Sequence, residues 1–218
     1  MITRKINDSH HKRFLLPVYG FSIFFLLYVL AAAFYPGGSN VEKVAAGFSV
    51  LNNYWCDLMA DNAKNGDINP ARPIAITAWI ILCISLSLFW VNLPRLFYGK
   101  NTNQQIIQYT GCFVSMGLIF SFTKLHDTII DIAAILGAIT IILTSIELKR
   151  NQYFVLWKLV VFCFFLGSLN YFIYTTNYFI SKLPVLQKIT YLFCLLTFGL
   201  ASYRIYQKEE KKDIHYLP

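Results

Sequence analysis

Six long apolar runs, separated by shorter polar segments, constrain the fold of this chain more than any other feature. They cover residues 14–35, 73–97, 106–123, 128–146, 153–176 and 189–206. Each is close to the ~20 residues that a helix needs to cross the hydrocarbon core of a bilayer. Strands of a membrane barrel alternate apolar and polar residues, whereas these runs are continuously apolar. The sequence therefore predicts an all-α polytopic protein, a bundle of six transmembrane helices.

The composition excludes an ordinary soluble domain. Hydrophobic residues make up 56% of the 218 residues and charged residues 14%, with a mean hydropathy of +0.51. Soluble domains carry roughly 25% charged residues. The first run follows Arg4, Lys5, Lys12 and Arg13, as in a secretory signal, but it exceeds the ~7–15 apolar residues of a signal core. We expect it to be kept as the first span.

Basic residues predict the orientation of the six spans. Twelve lie on one side: Arg4, Lys5, Lys12, Arg13, Arg95, Lys100, Lys149, Arg150, Arg204, Lys208, Lys211 and Lys212. Only six lie on the other: Lys43, Lys64, Arg72, Lys124, Lys182 and Lys188. Because lysine and arginine accumulate in cytoplasmic loops, we expect cytoplasmic tails at 1–13 and 207–218, a membrane domain at 14–206 and an exported loop at 36–72. The expected location is the inner membrane of a bacterium.

Charge and cysteine usage limit the partners. The net charge of +8 favours membrane lipids as partners, and no basic patch interleaved with aromatic residues predicts nucleic-acid binding. The sequence leaves open whether the protein forms a homo-oligomer or binds another membrane protein. Four of the five cysteines fall within the spans, Cys56 is the only loop thiol, and no Cys-x-x-Cys pair occurs. We expect no cofactor, while metal binding stays undecided.

The exported loop is the longest polar segment and is predicted to contain a helix. Ser39 and Glu42 have the spacing of a capping box. Apolar residues then recur at steps of three and four, at Val41, Val44, Ala45, Phe48, Leu51, Trp55, Leu58 and Met59. This spacing is typical of an amphipathic helix. We expect that helix to lie at the membrane surface or over the bundle, anchored by Trp55.

Polar residues of the loop share the opposite face of this predicted helix. Asn53, Asp57 and Asp61 stand at i, i+4 and i+8, and Asn69 and Arg72 lead into the second span. One interpretation is a solvated helix face. The other is one wall of a ligand site, since aspartates four residues apart repel each other unless a cation compensates them.

A second polar group is predicted on the same side of the membrane. His126 and Asp127 form the corner between the third and fourth runs, and Asp131 lies about one turn further along. An acidic residue within a span is costly and is a functional candidate. Asn170 and Tyr174 belong to the same half of the fifth run. The alternative role of Asp131 is a hydrogen bond between helices, to Asn170 or to a tyrosine.

A short motif resembles a known family. Asn53-Tyr54-Trp55-Cys56-Asp57-Leu58 has the form Asn-x-x-(Ser/Cys)-Asp-Leu, followed by an asparagine before the second span and a histidine near the third corner. With six spans, this pattern resembles the DUF998 membrane proteins and, more distantly, the Frag1/DRAM/Sfk1 group. The resemblance implies a six-helix membrane protein of largely undefined activity, with lipid-linked roles among the distant relatives. Cys56 stands where serine is more usual.

Two functional hypotheses follow, and proton- or ion-coupled transport ranks below both. The first is a protein that binds a lipid or amphiphile in a polar pocket of the outer leaflet, covered by the 36–72 loop. The second is a membrane-interface hydrolase with an Asp/His centre, with or without a metal. The candidate ligand-binding residues are Asn53, Trp55, Asp57, Asp61, Asn69, Arg72, His126, Asp127, Asp131, Asn170 and Tyr174.

Overall fold

The fold comes from a computed structural model that describes residues 11–215, with side chains as far as residue 212. Most of the predicted N-terminal tail, including Arg4 and Lys5, lies outside the described residues. The described part contains six α-helices: α1 (Leu16–Ala33), α2 (Arg72–Asn92), α3 (Thr102–Gly117), α4 (His126–Arg150), α5 (Phe154–Thr176) and α6 (Leu183–His215).

The six predicted spans are confirmed as helices. Short 3-10 turns at Arg13–Leu15, Leu93–Leu96, Leu118–Phe122 and Ile180–Lys182 extend several of them. With these turns, each of the six is long and apolar enough to cross a membrane. This pattern indicates a multi-pass membrane protein. The last span is longer than predicted at both ends, because α6 begins at Leu183 and continues past residue 206 to His215, into the expected tail.

Local sequence explains where the helices begin and end. Prolines stand in the first turns of α1 and α2, where a missing backbone N–H leaves no hydrogen bond unmade. The Asn101 side chain caps α3 by accepting a hydrogen bond from the Gln104 amide. Asn177 ends α5 in the left-handed conformation, with φ of 58°.

Consecutive helices pack side by side, which gives the bundle two distinct ends. The segment 34–71, the 123–125 corner and the 177–182 connection lie at the end that we call the loop side. The Tyr54 hydroxyl confirms this grouping, since it donates to the Ile180 carbonyl at 3.4 Å. The opposite end, which we call the terminal side, carries the connections between α2 and α3 and between α4 and α5.

Two glycines allow close helix packing. A Cβ atom on Gly20 of α1 would lie 1.8 Å from Ser85 Oγ of α2, and one on Gly111 of α3 would lie 2.5 Å from the Trp90 ring. The helix backbones therefore approach where only hydrogen occupies the side-chain position.

A buried carboxylate fastens α3 to α4 at the terminal side. Glu147 is fully buried, and its Oε1 accepts hydrogen bonds from the side-chain amides of Asn101 at 3.0 Å and Asn103 at 3.2 Å. Its Oε2 lies 3.5 Å from Gln104 Nε2. These amides replace the water molecules that the Glu147 carboxylate loses on burial. They also fix the position of α3 relative to α4.

The predicted amphipathic helix between α1 and α2 is wrong. Residues 34–71, which we call the roof loop, contain only the short 3-10 helix Trp55–Met59 and two isolated bridges, Gly37 with Ala46 and Asn62 with Ile68. Ser39 closes a turn instead of starting a helix, because its Oγ accepts from the Glu42 amide at 3.0 Å while its own amide donates to the Glu42 carbonyl.

Candidate functional site

Asn53 is the centre of the roof loop. Its side chain has no exposed surface, and Nδ2 donates to the Gly38 carbonyl at 2.8 Å and to Asp57 Oδ2 at 3.1 Å. Its Oδ1 accepts from the Ser49 amide at 2.9 Å. One side chain thus satisfies backbone groups of segments that form no regular structure.

Asp57 extends the same network. Its Oδ2 accepts from the Tyr54 amide at 2.9 Å, and its Oδ1 lies 3.3 Å from the Lys64 ammonium. The interpretation of a solvated face is therefore wrong for Asn53 and Asp57, which are both buried. Asp61 is solvated, with a side chain that is 81% exposed and pairs with Arg72 at 3.0 Å, but it does not lie on a helix.

Asn69 and Arg72 attach the end of the roof loop to its middle. Asn69 Nδ2 lies 3.0 to 3.3 Å from the carbonyls of Asp57, Leu58 and Ala60. Arg72 Nε donates to the Met59 carbonyl at 3.1 Å. These contacts place the 3-10 helix Trp55–Met59 directly over the start of α2.

Trp55 anchors the roof loop in the bundle. Its indole stacks on Tyr28 of α1 at 4.7 Å and on Tyr191 of α6 at 5.7 Å between ring centroids, with interplanar angles of 23° and 17°. Its amide donates to Gln187 Oε1 at 3.2 Å, and the Lys188 ammonium donates to the Asn53 carbonyl. The roof loop is thus joined to α1 and α6.

A cavity of about 560 Å³ lies beneath the roof loop, between α2, α4, α5 and α6. Polar side chains line its loop-side end, at His126, Asn170, Tyr174, Asn177, Gln187 and Thr190. Its deep end is lined by Leu82, Leu86, Leu195 and Phe198. From Gln187 to Phe198, α6 rises about 16 Å at ~1.5 Å per residue. The polar lining is therefore confined to the loop-side part of the cavity, where Met59, Leu118, Ile180 and Leu183 also line it, and the deep end is apolar.

Two carboxylates of α4 stand beside the polar end of the cavity. His126 Nδ1 lies 2.9 Å from Asp127 Oδ1, and the Tyr174 hydroxyl donates to the same oxygen at 2.8 Å. One turn further along, the Tyr171 hydroxyl donates to Asp131 Oδ1 at 3.1 Å. These hydrogen bonds join α4 to α5, which is the interhelical role considered for Asp131.

Cys56 contributes an unreactive thiol to the cavity wall. Burial raises its pKa to about 12, and the neighbouring Asp57 carboxylate raises it as well, while Lys64 lowers it. The thiolate is the nucleophilic form of cysteine, so at neutral pH this side chain behaves as a small apolar group. Within residues 11–215, no three His, Cys, Asp or Glu side chains are grouped to hold a metal ion.

The structure divides the candidate residues into three sets. Trp55, His126, Asn170 and Tyr174 line the cavity. Asp127 and Asp131 contact its tyrosines from outside. The remaining five, Asn53, Asp57, Asp61, Asn69 and Arg72, make contacts within the roof loop or at the start of α2.

Sequence reasoning missed the contribution of α6. Gln187, Thr190, Tyr191 and Cys194 line the cavity and recur at helical spacing in the first turns of this helix. That spacing can be recognised in the sequence. It was missed because the predicted span began only at residue 189, after Gln187. Tyr28, within the apolar first run, gave no comparable signal.

Comparisons with known proteins gave no match: no family model, no curated protein and no solved structure matches this chain.

Proposed function

We propose that this protein binds a membrane amphiphile in the cavity, with the polar end of the ligand under the roof loop and its hydrocarbon chain toward Leu86 and Phe198. The observation that supports this proposal is the polarity gradient along one continuous cavity. An amphiphile has the same gradient, because its head group needs hydrogen bonds and its chain needs apolar contacts.

The size and construction of the cavity are consistent with this role. Its volume of about 560 Å³ lies within the ~300–1,000 Å³ typical of small-molecule sites. Trp55 stacks on two tyrosines of the bundle, which fixes the roof loop over the polar end of the cavity. A preformed cavity avoids the entropic cost of ordering its walls when a ligand binds.

The proposed orientation places the ligand in the outer leaflet of a bacterial inner membrane. The excess of basic residues on the terminal side favours that side as cytoplasmic. The roof loop and the polar end of the cavity then face outward. Lipid-linked roles implied by the resemblance of the Asn53–Leu58 motif are in keeping with such a site.

Filling the cavity provides the test. Gly167 lines the cavity, and a Cβ added there meets no atom within 4 Å. Gly137 of α4 has the same open surroundings but does not line the cavity, so it is the matched control. Each glycine is replaced by leucine, and lipid that co-purifies with the protein is quantified by mass spectrometry per mole of protein.

We expect the wild type and Gly137→Leu to retain a stoichiometric lipid, and Gly167→Leu to retain less than about a tenth of it, since the leucine occupies space that the ligand needs. Equal lipid content in all three proteins, with no species enriched over the surrounding membrane, would contradict amphiphile binding in this cavity.

The hydrolase remains the second candidate because of one contact. Asp127 hydrogen bonds to His126 Nδ1 at 2.9 Å, which is the arrangement that orients an imidazole as a general base. The loop carboxylates Asp57 and Asp61 take no part in this contact and pair with Lys64 and Arg72. The same mass spectra separate the two functions. Intact lipid alone favours binding, and a cleavage product that disappears in Asp127→Asn favours hydrolysis.

A further inference from the structure

A second cavity, of about 600 Å³, lies at the terminal side of the bundle, at the opposite end from the roof loop. It is lined by the end of α2, the connection from α2 to α3, the start of α3 and the last turns of α6. We call it the basic groove, because its lining combines three basic residues, Arg95, Lys100 and Lys212, with three apolar ones, Val91, Pro94 and Phe97. No acidic side chain of the described residues lines it.

The extension of α6 beyond its predicted span builds one wall of the basic groove. The Lys208 ammonium donates to the carbonyls of Leu96 at 2.8 Å and Phe97 at 3.3 Å. It also lies 4.1 Å from the centre of the Tyr98 ring. These contacts attach the last turns of α6 to the connection between α2 and α3. Lys212 stands one turn after Lys208 on the same face of α6, so residues expected in a tail form part of the groove.

Nearby carboxylates do not neutralise the cations of the basic groove. Glu209 contacts the Lys212 ammonium, and its Oε2 lies 3.8 Å from Arg95 Nη1. Glu147 is fully buried and bonded to the side-chain amides at the start of α3, so it presents no oxygen to the groove. One carboxylate therefore contacts two of the three cations, and the excess of positive charge favours an anionic ligand.

Arg95 and Lys100 offer hydrogen-bond donors that no described residue takes up. The Arg95 side chain is 46% exposed, and its distance to Glu209 exceeds that of a hydrogen bond. Its guanidinium carbon lies 5.2 Å from the centre of the Phe14 ring, a contact that holds the group in place. Lys100 is exposed and forms no ion pair with a described residue. A guanidinium can donate to two oxygens of one phosphate and an ammonium to a third, so the pair is suited to a phosphate group.

The basic groove continues into an exposed apolar surface of two helices that are long and apolar enough to cross a membrane. Val91 lines the groove and forms an exposed row along α2 with Leu88 and Ile84. Tyr109 of α3 is 72% exposed, and Gln108 Nε2 beside it donates to the Val91 carbonyl at 3.0 Å, which joins the two helices. A ligand in the groove can therefore place acyl chains along α2 and α3, which favours a phospholipid over a soluble phosphate.

We infer that the basic groove binds the phosphate group of an anionic phospholipid in the leaflet at the terminal side. Arg95 and Lys100 bind the phosphate oxygens, Lys212 adds positive charge, and the acyl chains lie along α2 and α3. A zwitterionic lipid fits less well, since its own cationic group would meet the same three cations. The groove is separate from the cavity under the roof loop, and the inference does not rest on the amphiphile proposed to bind there.

Three ligands distinguish the charge of the head group and the source of the phosphate: dioleoylphosphatidylglycerol, dioleoylphosphatidylcholine and glycerol 3-phosphate. Each is titrated into the detergent-solubilised full-length protein, and occupancy is measured by native mass spectrometry. We expect phosphatidylglycerol to bind at least about tenfold more tightly than phosphatidylcholine, which has the same chains but no net charge. A large excess of glycerol 3-phosphate should not displace it, because the soluble phosphate lacks the acyl chains.

Lys100→Glu tests the basic groove itself, and Lys211→Glu is its matched control. Lys211 is also an exposed lysine at the terminal side, but it does not line the groove. We expect Lys100→Glu to weaken phosphatidylglycerol binding at least about tenfold and Lys211→Glu less than about threefold, because screening weakens a charge that lies further from the phosphate. Arg95→Lys keeps the charge and removes the paired donors, so it should weaken phosphatidylglycerol binding about fivefold and leave phosphatidylcholine binding unchanged.

Several outcomes would overturn this inference. Equal binding of phosphatidylglycerol and phosphatidylcholine, or equal losses in Lys100→Glu and Lys211→Glu, would show that the groove does not select an anionic lipid. Displacement by glycerol 3-phosphate would assign the groove to a soluble phosphate. Gly167→Leu should leave phosphatidylglycerol binding unchanged, so a failure here is distinguishable from a failure of the proposed function. Loss of that binding in Gly167→Leu would place the lipid under the roof loop instead.

Discussion

Asparagine side chains replace regular backbone hydrogen bonding in the roof loop. A segment without helix or sheet leaves many carbonyl groups unpaired, and burial makes each of them costly. Asn69 alone is shared among the carbonyls of Asp57, Leu58 and Ala60. Asn53 connects the Gly38 carbonyl to the Asp57 carboxylate. The amide is suited to this work because it donates and accepts without carrying charge.

Replacing Asn69 by alanine should therefore destabilise the protein, because buried carbonyls lose their donor. We expect a loss of about 1–3 kcal/mol in the free energy of unfolding. Asn65 is the control, since it is an exposed residue of the same loop whose amide bonds to Asp67. Asn65→Ala should change stability by less than about 0.5 kcal/mol. Thermal denaturation in one detergent measures both, and equal effects would contradict the role given to Asn69.

At the scale of residues, the sequence identified several side chains of the site but did not predict where the others lie. Trp55, His126, Asn170 and Tyr174 were candidates and line the cavity. Asn53 was expected at a helix surface because polar residues at helical spacing usually face water. Besides its local partners Ser49 and Asp57, its side chain donates to the Gly38 carbonyl, fifteen positions earlier in the chain. Only the tertiary path of the loop brings them together, and no local pattern encodes that path.

Among the elements, the roof loop shows how a helical pattern can mislead. Apolar residues of the segment recur every three or four positions, yet the backbone turns repeatedly. Serine and asparagine side chains offer the backbone local hydrogen bonds that compete with a helix. Ser39 binds the Val41 and Glu42 amides, and Ser49 binds the Asn52 amide. Of the periodic apolar residues, Leu58 and Met59 are buried, while Val41, Val44 and Leu51 are exposed, so the bundle buries no continuous apolar helix face that would favour a helix over these turns.

Gly38 supports this path, and its substitution tests the packing of the roof loop. Its φ of +79° favours glycine, and an added Cβ would lie 2.4 Å from the Asn65 nitrogen. Gly47 also has a positive φ, of +69°, but an added Cβ there meets no atom within 4 Å. Gly47→Ala should cost only the ~1–2 kcal/mol of the left-handed conformation, and Gly38→Ala should cost more.

Limited proteolysis of the two variants measures the difference. We expect cleavage within residues 34–71 to become at least about tenfold faster in Gly38→Ala than in Gly47→Ala, because displacement of the 64–65 backbone opens the loop. Equal cleavage rates would show that the close approach of Gly38 and Asn65 does not hold the loop on the bundle.

For the whole molecule, sequence predicted the helices and not the cavity. Twenty consecutive apolar residues are a local property, so all six helices could be predicted from length and hydropathy. The cavity exists because α2, α4, α5 and α6 leave space between them under the roof loop. That space depends on packing between helices far apart in sequence. The polar lining of α6 could have been read from its spacing, and Asn170 and Tyr174 of α5 were predicted, but the packing that brings them together with α2 could not be predicted.

Orientation of the molecule is tested by placing single cysteines at opposite ends in a Cys56→Ser background. Asp67 lies on the roof loop and Lys100 on the terminal side, and both are exposed. In intact bacterial cells, a membrane-impermeant maleimide should label Asp67→Cys, and it should label Lys100→Cys only after lysis. The reverse labelling pattern would show that the cavity faces the cytoplasm, and it would not change the internal geometry of the cavity.

The contacts of Trp55 with α1 and α6 also determine when the roof loop can dock during biosynthesis. Its indole stacks on a tyrosine of α1 and on a tyrosine of α6, which are synthesised before and after the roof loop. The loop emerges early, yet half of its docking surface is translated more than a hundred residues later. Docking of the roof loop is therefore complete only after α6 has been synthesised and packed.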